Sequence, residues 1–134
     1  MKTVDFYFDL SSPWTRLAFH NIQPIIREND AEIIWKPFLV GGVFNAVNQD
    51  VYAARENPDN RKFVHSFRVL KDWAALAAQT QDQAIKDRLR ANTEEAIARG
   101  AYGSPSIFVP FGDGERMYFG NDQLPLVNWA IKQG

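Results

Sequence analysis

The sequence has 134 residues but no cysteine, and its only histidines are His20 and His65. The absence of cysteine excludes disulfides, thiol nucleophiles and thiolate-bound metal ions. With two histidines, a metal site would need carboxylates at positions that no motif reveals, so we expect no metal. A Ser-His hydrolase is also disfavoured, because Ser12 and His20 would lie about 12 Å apart along one helix.

A surplus of positive charge and a long apolar run are also missing. Fifteen basic and sixteen acidic residues give a net charge of −1, which excludes the basic surplus typical of nucleic-acid-binding domains. No apolar run approaches the roughly 20 residues of a transmembrane helix. Asp5 and Asp9 interrupt the apolar stretch near the start, so it does not form a signal-peptide core. We expect a cytoplasmic protein with neither a membrane nor a nucleic-acid partner.

The first forty residues follow a strand–helix–strand pattern. Apolar and polar residues alternate from Val4 to Phe8, which predicts a strand. Ser11–Pro13 is a natural helix start, and helical spacing of apolar residues continues to about Asn29. Glu32–Phe38 predicts a second strand. Such a unit usually has parallel strands joined by a right-handed crossover.

The middle of the chain predicts two helices. The segment from Val40 to about Pro58 is the least regular part. A helix is expected over roughly Asn60–Ala78, and a capping box at Thr80–Gln83 starts another helix that ends near Gly100.

A hairpin and a final helix complete the pattern. Two strand-like segments flank Phe111–Gly114, which carries turn residues. Asn121 or Asp122 is expected to cap the last helix. The order β-α-β-α-α-β-β-α predicts an α/β, thioredoxin-like fold, with a central four-stranded mixed sheet flanked by helices.

Two short motifs fall where this fold carries its chemistry. Ser12–Thr15, with the sequence S-P-W-T, opens the first helix, where thiol oxidoreductases of the fold have C-x-x-C. Both cysteine positions are hydroxyl residues here. Ser104 and Pro105 enter the third strand, where this fold often has a cis proline that exposes the backbone of the preceding residue to a ligand.

Three longer stretches carry a resemblance to a known family: DFYFDLSSP at 5–13, GAYGSP at 100–105 and FGNDQL at 119–124. They resemble the opening, cis-proline and F-G-x-D-x-L motifs of kappa-class glutathione transferases and 2-hydroxychromene-2-carboxylate isomerases. These enzymes are the DsbA-like, glutathione-using branch of the thioredoxin superfamily. Most of the family's inserted helical domain has no counterpart here. We therefore expect one domain over residues 1–134, with a shortened helical insertion around 60–99.

The resemblance implies that glutathione is the cofactor and that Ser12 is the catalytic residue, hydrogen-bonded to the glutathione sulfur. Asn48 and Lys62 would contact glutathione. Ser104, directly before Pro105, would pair its main chain with the cysteinyl backbone. The γ-glutamyl end would be held by Asn121 and Asp122.

Simpler interpretations stay open for these residues. Ser12 could only cap a helix, Pro105 could be an ordinary proline at the start of a strand, and Lys62 could be a solvated helix lysine. Asp122 could act only as a helix cap. Trp14 is expected in the core or in an interface.

A thiolate role for Ser12 agrees with physical chemistry. A free thiol has a pKa near 8.5, so little thiolate exists at neutral pH. A helix N-terminus favours an anion, and a serine hydroxyl can donate one more, charge-assisted bond. Since glutathione brings the sulfur, the protein needs no cysteine.

Three functions follow as hypotheses. The first is a glutathione-dependent isomerase of the 2-hydroxychromene-2-carboxylate type, with kappa-type conjugation of a small aromatic or electrophilic substrate as its alternative. The second is a glutathione-binding domain without activity. The third is an interaction module. A homodimer is expected because loss of the helical insertion would expose apolar residues such as Val64 and Trp73.

Overall fold

The computed structural model describes residues 2–47, residue 50 and residues 83–134. The elements in these ranges are β1 (Lys2–Phe8), α1 (Pro13–Glu28), β2 (Ala31–Pro37), α2 (Val40–Val47), α3 (Gln83–Ala98), β3 (Ser106–Phe111), β4 (Gly114–Phe119) and α4 (Leu124–Gln133). None of the helices in the described ranges is long and apolar enough to cross a membrane. The helix expected over 60–78 and most of the capping box at 80–83 lie outside these residues.

The four strands form one mixed sheet with the order β2-β1-β3-β4. β1 pairs with β2 in parallel, as the predicted βαβ unit requires, and with β3 in antiparallel. In this register Phe6 of β1 lies between Trp35 of β2 and Ile107 of β3. The predicted mixed four-stranded sheet flanked by helices is confirmed.

Alternation along the strands sends apolar side chains to both faces of the sheet. One face packs against α1 and α4, in a cluster that includes Val4, Phe6, Ala18, Ile22, Ile107, Val127 and Ile131. The other face packs against α2 and α3, in a cluster formed by Tyr7, Phe38, Val43, Ala96, Ala101 and Phe108. The sheet is therefore a central layer with helices on both sides.

Helix α2 begins the segment that the sequence predicts to be irregular. Two glycines lower its intrinsic helix propensity, but tertiary contacts compensate. Its first residue, Val40, donates its backbone N–H to Asp9 Oδ2 at 2.8 Å, and Val43 is fully buried. A Cβ on Gly42 would lie 3.1 Å from Thr93 Cγ2, so the glycine permits close packing of α2 against α3.

The hairpin has the predicted turn, whereas the last helix has a different cap. Gly112, with φ of +59°, lies in the turn between β3 and β4. The cap of α4 is Gln123, not Asn121 or Asp122, and no side-chain capping bond is made. The Gln123 side chain instead accepts the backbone N–H of Phe119 at 2.7 Å. It therefore stabilises the turn that precedes the helix.

Trp14 does not lie in the core, since it is 58% exposed, and its place in an interface stays a prediction. It follows the helix start at Pro13 and lies on the outer face of α1, while Thr15 and Ala18 face inward.

A network of charged side chains joins α3 to the sheet. Arg99, just beyond α3, contacts Asp5 at 2.6 Å and forms a bidentate salt bridge with Glu115. Lys36 contacts Asp5 at 3.1 Å and Glu95 at 2.7 Å. The Tyr7 hydroxyl, at the centre, accepts bonds from both cations. We call this group, Asp5, Tyr7, Lys36, Glu95, Arg99 and Glu115, the polar cluster.

Burial and hydrogen bonds shift the pKa values within the polar cluster. Burial, and then a hydrogen bond with Glu95, raise the pKa of Tyr7, so its hydroxyl stays protonated. Burial alone would raise the pKa of Glu95, but its bonds to Lys36 and Tyr7 outweigh burial and lower it. Glu95 is therefore more acidic in the folded chain than in the unfolded chain.

This difference predicts an acid-dependent contribution of Glu95 to stability. A lowered carboxyl pKa stabilises the fold above the ordinary value of 4.5, and the effect disappears as the pH falls through the folded-state pKa. Because Glu95 is 43% exposed, we expect Glu95→Gln to lower the free energy of unfolding by at most about 1 kcal/mol at pH 7. Urea unfolding at pH 7 and pH 3 should show the difference shrinking in acid. An equal difference at both pH values would contradict the assignment.

Candidate active site

The loop between β1 and α1 is held by Asp9. One carboxylate oxygen accepts the backbone N–H of Ser11 and the other that of Val40, both at 2.8 Å. The Asp9 carbonyl accepts the N–H of Ser12 at 3.1 Å. The carboxylate therefore ties the start of α1 to the start of α2 and fixes where Ser12 lies.

Ser12 is the N-cap of α1, as predicted. Its backbone is extended, with φ of −95° and ψ of 121°, and its Oγ accepts the N–H of Thr15 at 3.4 Å. Such a cap satisfies one of the helix N–H groups that lack an intrahelical partner. The Ser12 hydroxyl also donates to the carbonyl of Ser104 at 2.8 Å. The helix start and the loop before β3 thus meet at this side chain.

Ser104 is 4% exposed, and its peptide bond to Pro105 is cis. Its Oγ accepts the backbone N–H of Asp9 at 2.8 Å and lies 2.8 Å from Thr15 Oγ1. Its carbonyl accepts the hydrogen bond from the Ser12 hydroxyl. The two hydroxyl positions that replace C-x-x-C, Ser12 and Thr15, therefore contact the same residue by different atoms.

The turn between β4 and α4 forms the third part of the site. The N–H of Gly120 donates to the carbonyl of Pro105 at 3.1 Å, and Asn121 and Asp122 directly follow Gly120, so their turn is tied to the cis-proline loop. Asn121 Oδ1 accepts a bond from Asn21 Nδ2 at 2.8 Å. The structure thus brings together the segments of five predicted site residues: Ser12, Ser104, Pro105, Asn121 and Asp122. The other two, Asn48 and Lys62, lie outside the described residues.

Gly120 determines where the Asp122 carboxylate can lie. Its φ is +83°, and a Cβ would approach Asp122 Oδ1 to 2.7 Å. We expect Gly120→Ala to reduce the free energy of unfolding by about 1–2 kcal/mol, because alanine is strained at this φ and the carboxylate must move. Thermal unfolding measures the loss. Gly112→Ala, whose Cβ meets nothing within 4 Å although its φ is +59°, separates backbone strain from the effect of moving Asp122. Equal losses in both variants would leave no role for the carboxylate contact.

Sequence reasoning missed Asp9 as the residue that holds the loop. An aspartate two residues before a serine at the end of a strand is a common Asx-turn pattern, so a local signal exists. Its second bond, to Val40, depends on the tertiary structure and has no such signal. For Thr15 the sequence indicates only that it occupies the second cysteine position.

These features define a thioredoxin-like protein with hydroxyl residues in place of the redox cysteines. Residues 3–78 and 43–132 match the DSBA-like thioredoxin domain, and the chain belongs to this family. It is 37% identical over 105 residues to a glutathione S-transferase kappa 2 from Caenorhabditis elegans. That alignment covers 77% of this chain and 42% of the relative, so the chain matches less than half of the relative's length.

Two solved structures share the fold. A 2-hydroxychromene-2-carboxylate isomerase superposes with a TM-score of 0.65, over 97% of this chain and 94% of that one, at 17% identity. ScsC from Proteus mirabilis, in a compact conformation, has a TM-score of 0.56 over 97% and 81% of the chains, at 15% identity. At these identities the likeness concerns the fold. The resemblance to kappa-class glutathione transferases is confirmed by the sequence match to one of them.

Proposed function

We propose that this chain binds glutathione and stabilises its thiolate with Ser12. The observation that supports this most directly is the 2.8 Å contact between the Ser12 hydroxyl and the Ser104 carbonyl. It places a hydroxyl donor at the start of α1 beside a backbone acceptor in the cis-proline loop. A cysteinyl residue that bonds its N–H to this carbonyl would bring its sulfur near the hydroxyl.

The start of α1 would lower the pKa of the bound thiol. The helix contributes roughly half a positive charge at this end, and the hydroxyl adds a hydrogen bond that strengthens when the sulfur is ionised. The described residues place no acidic side chain in the first turn of α1. Both effects favour thiolate over thiol, whose pKa in water is about 8.5.

Binding would require Ser12 to exchange hydrogen-bond partners. A serine hydroxyl has one hydrogen, and in this structure that hydrogen is donated to Ser104. A neutral thiol is a weak acceptor and competes poorly with a carbonyl, whereas a thiolate forms the stronger, charge-assisted bond. The exchange is therefore coupled to ionisation of the sulfur. The carbonyl, which has two lone pairs, is then available to the cysteinyl N–H.

Four further residues are proposed to hold the rest of glutathione. By the sequence resemblance, Asn121 and Asp122 would bind the γ-glutamyl end, and the bond from Gly120 to Pro105 ties their turn to the cis-proline loop. Asn48 and Lys62 would contact the tripeptide, and this assignment depends on the sequence resemblance alone.

We place conjugation first, which reverses the order of the prediction from the sequence. In conjugation, the thiolate forms a bond to an electrophilic carbon, the electron pair moves onto the substrate or its leaving group, and a thioether remains. The name of the relative at 37% identity, a glutathione S-transferase, supports this choice. Isomerisation is the second candidate: the thiolate adds to a conjugated double bond, the resulting single bond rotates, and elimination regenerates glutathione. Here support comes from the isomerase with the same fold.

Calorimetric titration with glutathione at pH 6 and pH 8 tests the proposed site. We expect binding accompanied by proton release, since the bound thiol ionises more readily than the free thiol. An absence of binding at millimolar glutathione would overturn the proposal and leave the chain as a scaffold for interactions. Electrophile turnover then separates the reactions, because conjugation consumes glutathione and isomerisation does not. Binding without turnover would identify a glutathione-binding domain.

We also propose a homodimer of single-domain chains with a shortened insertion. Apolar side chains exposed along α1, including Leu17 and Phe19, support association. Sedimentation over a wide concentration range tests this, and a monomer throughout would contradict it.

A further inference from the structure

We infer that Thr15 is a positioning residue of the glutathione site, acting through the Ser104 side chain on the carbonyl that faces Ser12. The inference rests on the proposed function. The match of Thr15 to the second cysteine of C-x-x-C does not by itself suggest where its hydroxyl lies. Thr15 occupies the second cysteine position but is 4% exposed, and its hydroxyl contacts Ser104. The Thr15 side chain would thus act on a ligand only through Ser104.

The Ser104 side chain is held from two directions. The N–H of Asp9 donates to Ser104 Oγ at 2.8 Å, and Thr15 Oγ1 lies 2.8 Å from the same atom. Ser104 is as buried as Thr15, so water does not readily replace either partner. Since the side chain is fixed at Oγ, rotation of the attached backbone is restricted, and so is the direction of the carbonyl that receives Ser12.

The direction of the Ser104 carbonyl is important because this group accepts two different hydrogen bonds in the proposed mechanism. It holds the Ser12 hydroxyl before glutathione binds, and it accepts the cysteinyl N–H afterwards. An error of about 1 Å in such a group is enough to weaken a site built on directed hydrogen bonds. Loss of the Thr15 hydroxyl would leave Ser104 Oγ tied only to Asp9. Both glutathione affinity and thiolate stabilisation should then fall.

The test uses Thr15→Val, which keeps the shape but removes the hydroxyl, and Thr15→Ser, which keeps the hydroxyl. Thr93→Val is the matched control, because Thr93 is also buried but its hydroxyl bonds to Leu39 and Leu89. Calorimetry gives the dissociation constant of glutathione. Ultraviolet absorbance of the bound thiolate against pH gives the pKa of its sulfur. Thermal unfolding reports stability separately.

We expect Thr15→Val to weaken glutathione binding by about three- to tenfold, the range for loss of one hydrogen bond, and to raise the pKa of the bound thiol. Thr15→Ser should recover most of the affinity. Thr93→Val should lower the melting temperature without either effect. Unchanged affinity and thiol pKa in Thr15→Val would overturn the inference, as would an equal change in Thr93→Val.

Ser104→Ala provides a second route if Thr15→Val fails to fold. It removes the Ser104 hydroxyl, which contacts Thr15, and keeps the Ser104 carbonyl. Like Thr15→Val, it should raise the pKa of the bound thiol. Normal binding in Ser104→Ala would overturn the inference. If the unaltered protein binds no glutathione, both the proposed function and this inference fail. If it binds normally and the variants match it, only the inference fails.

Discussion

Under the proposed function, replacing Ser12 with alanine is expected to lower glutathione-dependent turnover at pH 7 by about 10- to 100-fold. The variant loses a hydrogen bond to a charged sulfur, which is worth about 1.5–3 kcal/mol. The pKa of the bound thiol should rise by about 1–2 units for the same reason. Stability should fall by only about 1 kcal/mol, the usual cost of removing a helix cap.

The measurement is a pH profile of turnover and of thiolate absorbance for both proteins. Ser11→Ala is the matched control, since Ser11 precedes Ser12 and bonds to Asp9 through its backbone N–H, which alanine retains. The control should follow the unaltered protein. A Ser12→Ala variant with an unchanged pH profile would remove Ser12 from its role, and the hydroxyl would then be a helix cap only.

Replacing Arg99 with methionine is expected to destabilise the fold by about 2–3 kcal/mol, which corresponds to about 6–12 °C in melting temperature for a domain of this size. Methionine keeps the apolar stem over the Phe108 ring, whose centroid lies 4.1 Å from the guanidinium carbon. It removes the charge that pairs with Asp5 and Glu115. Asp5 keeps Lys36 as a partner at 3.1 Å, so the cost stays below that of an isolated buried charge.

Arg90→Met is the control for this variant, because Arg90 is an exposed residue of α3, the helix that Arg99 directly follows. It should change the melting temperature by less than about 2 °C, as expected for a surface substitution. Thermal unfolding at low and high salt completes the experiment. Since Arg99 is 20% exposed, most of its effect should persist at high salt, where exposed pairs are screened. Equal stability of the two variants would show that the polar cluster does not hold α3 to the sheet.

Local sequence was sufficient for much of the architecture. Alternation from Val4 to Phe8 indicated β1, because side chains on a strand point to opposite faces. Proline after two serines marked the start of α1, since proline needs no N–H partner there. The turn residues around Gly112 likewise indicated the hairpin from the local sequence. The motifs at 5–13, 100–105 and 119–124 pointed to kappa-class glutathione transferases, and since the sequence has no cysteine, any thiol chemistry would have to use the sulfur of a ligand.

Contacts between different elements decided the rest. The helix at Val40–Val47 forms despite its glycines because Asp9 caps it and Val43 is buried against the sheet. The cap of α4 moved to Gln123, whose side chain bonds to Phe119 across the turn. Neither result follows from propensity, because in both cases the deciding partner lies in another element.

The residue types alone limit the chemical groups of the site to a serine at a helix start, a proline that enters a strand, and no thiol. The orientation of those groups comes from the tertiary structure. That structure joins Ser12 to Ser104 across 92 positions of the chain and places Thr15 behind Ser104, 89 positions away. Hydrogen bonds depend on direction and distance to within tenths of an ångström. Such geometry is set by the packing of the sheet and helices, and a local pattern of residues does not contain it.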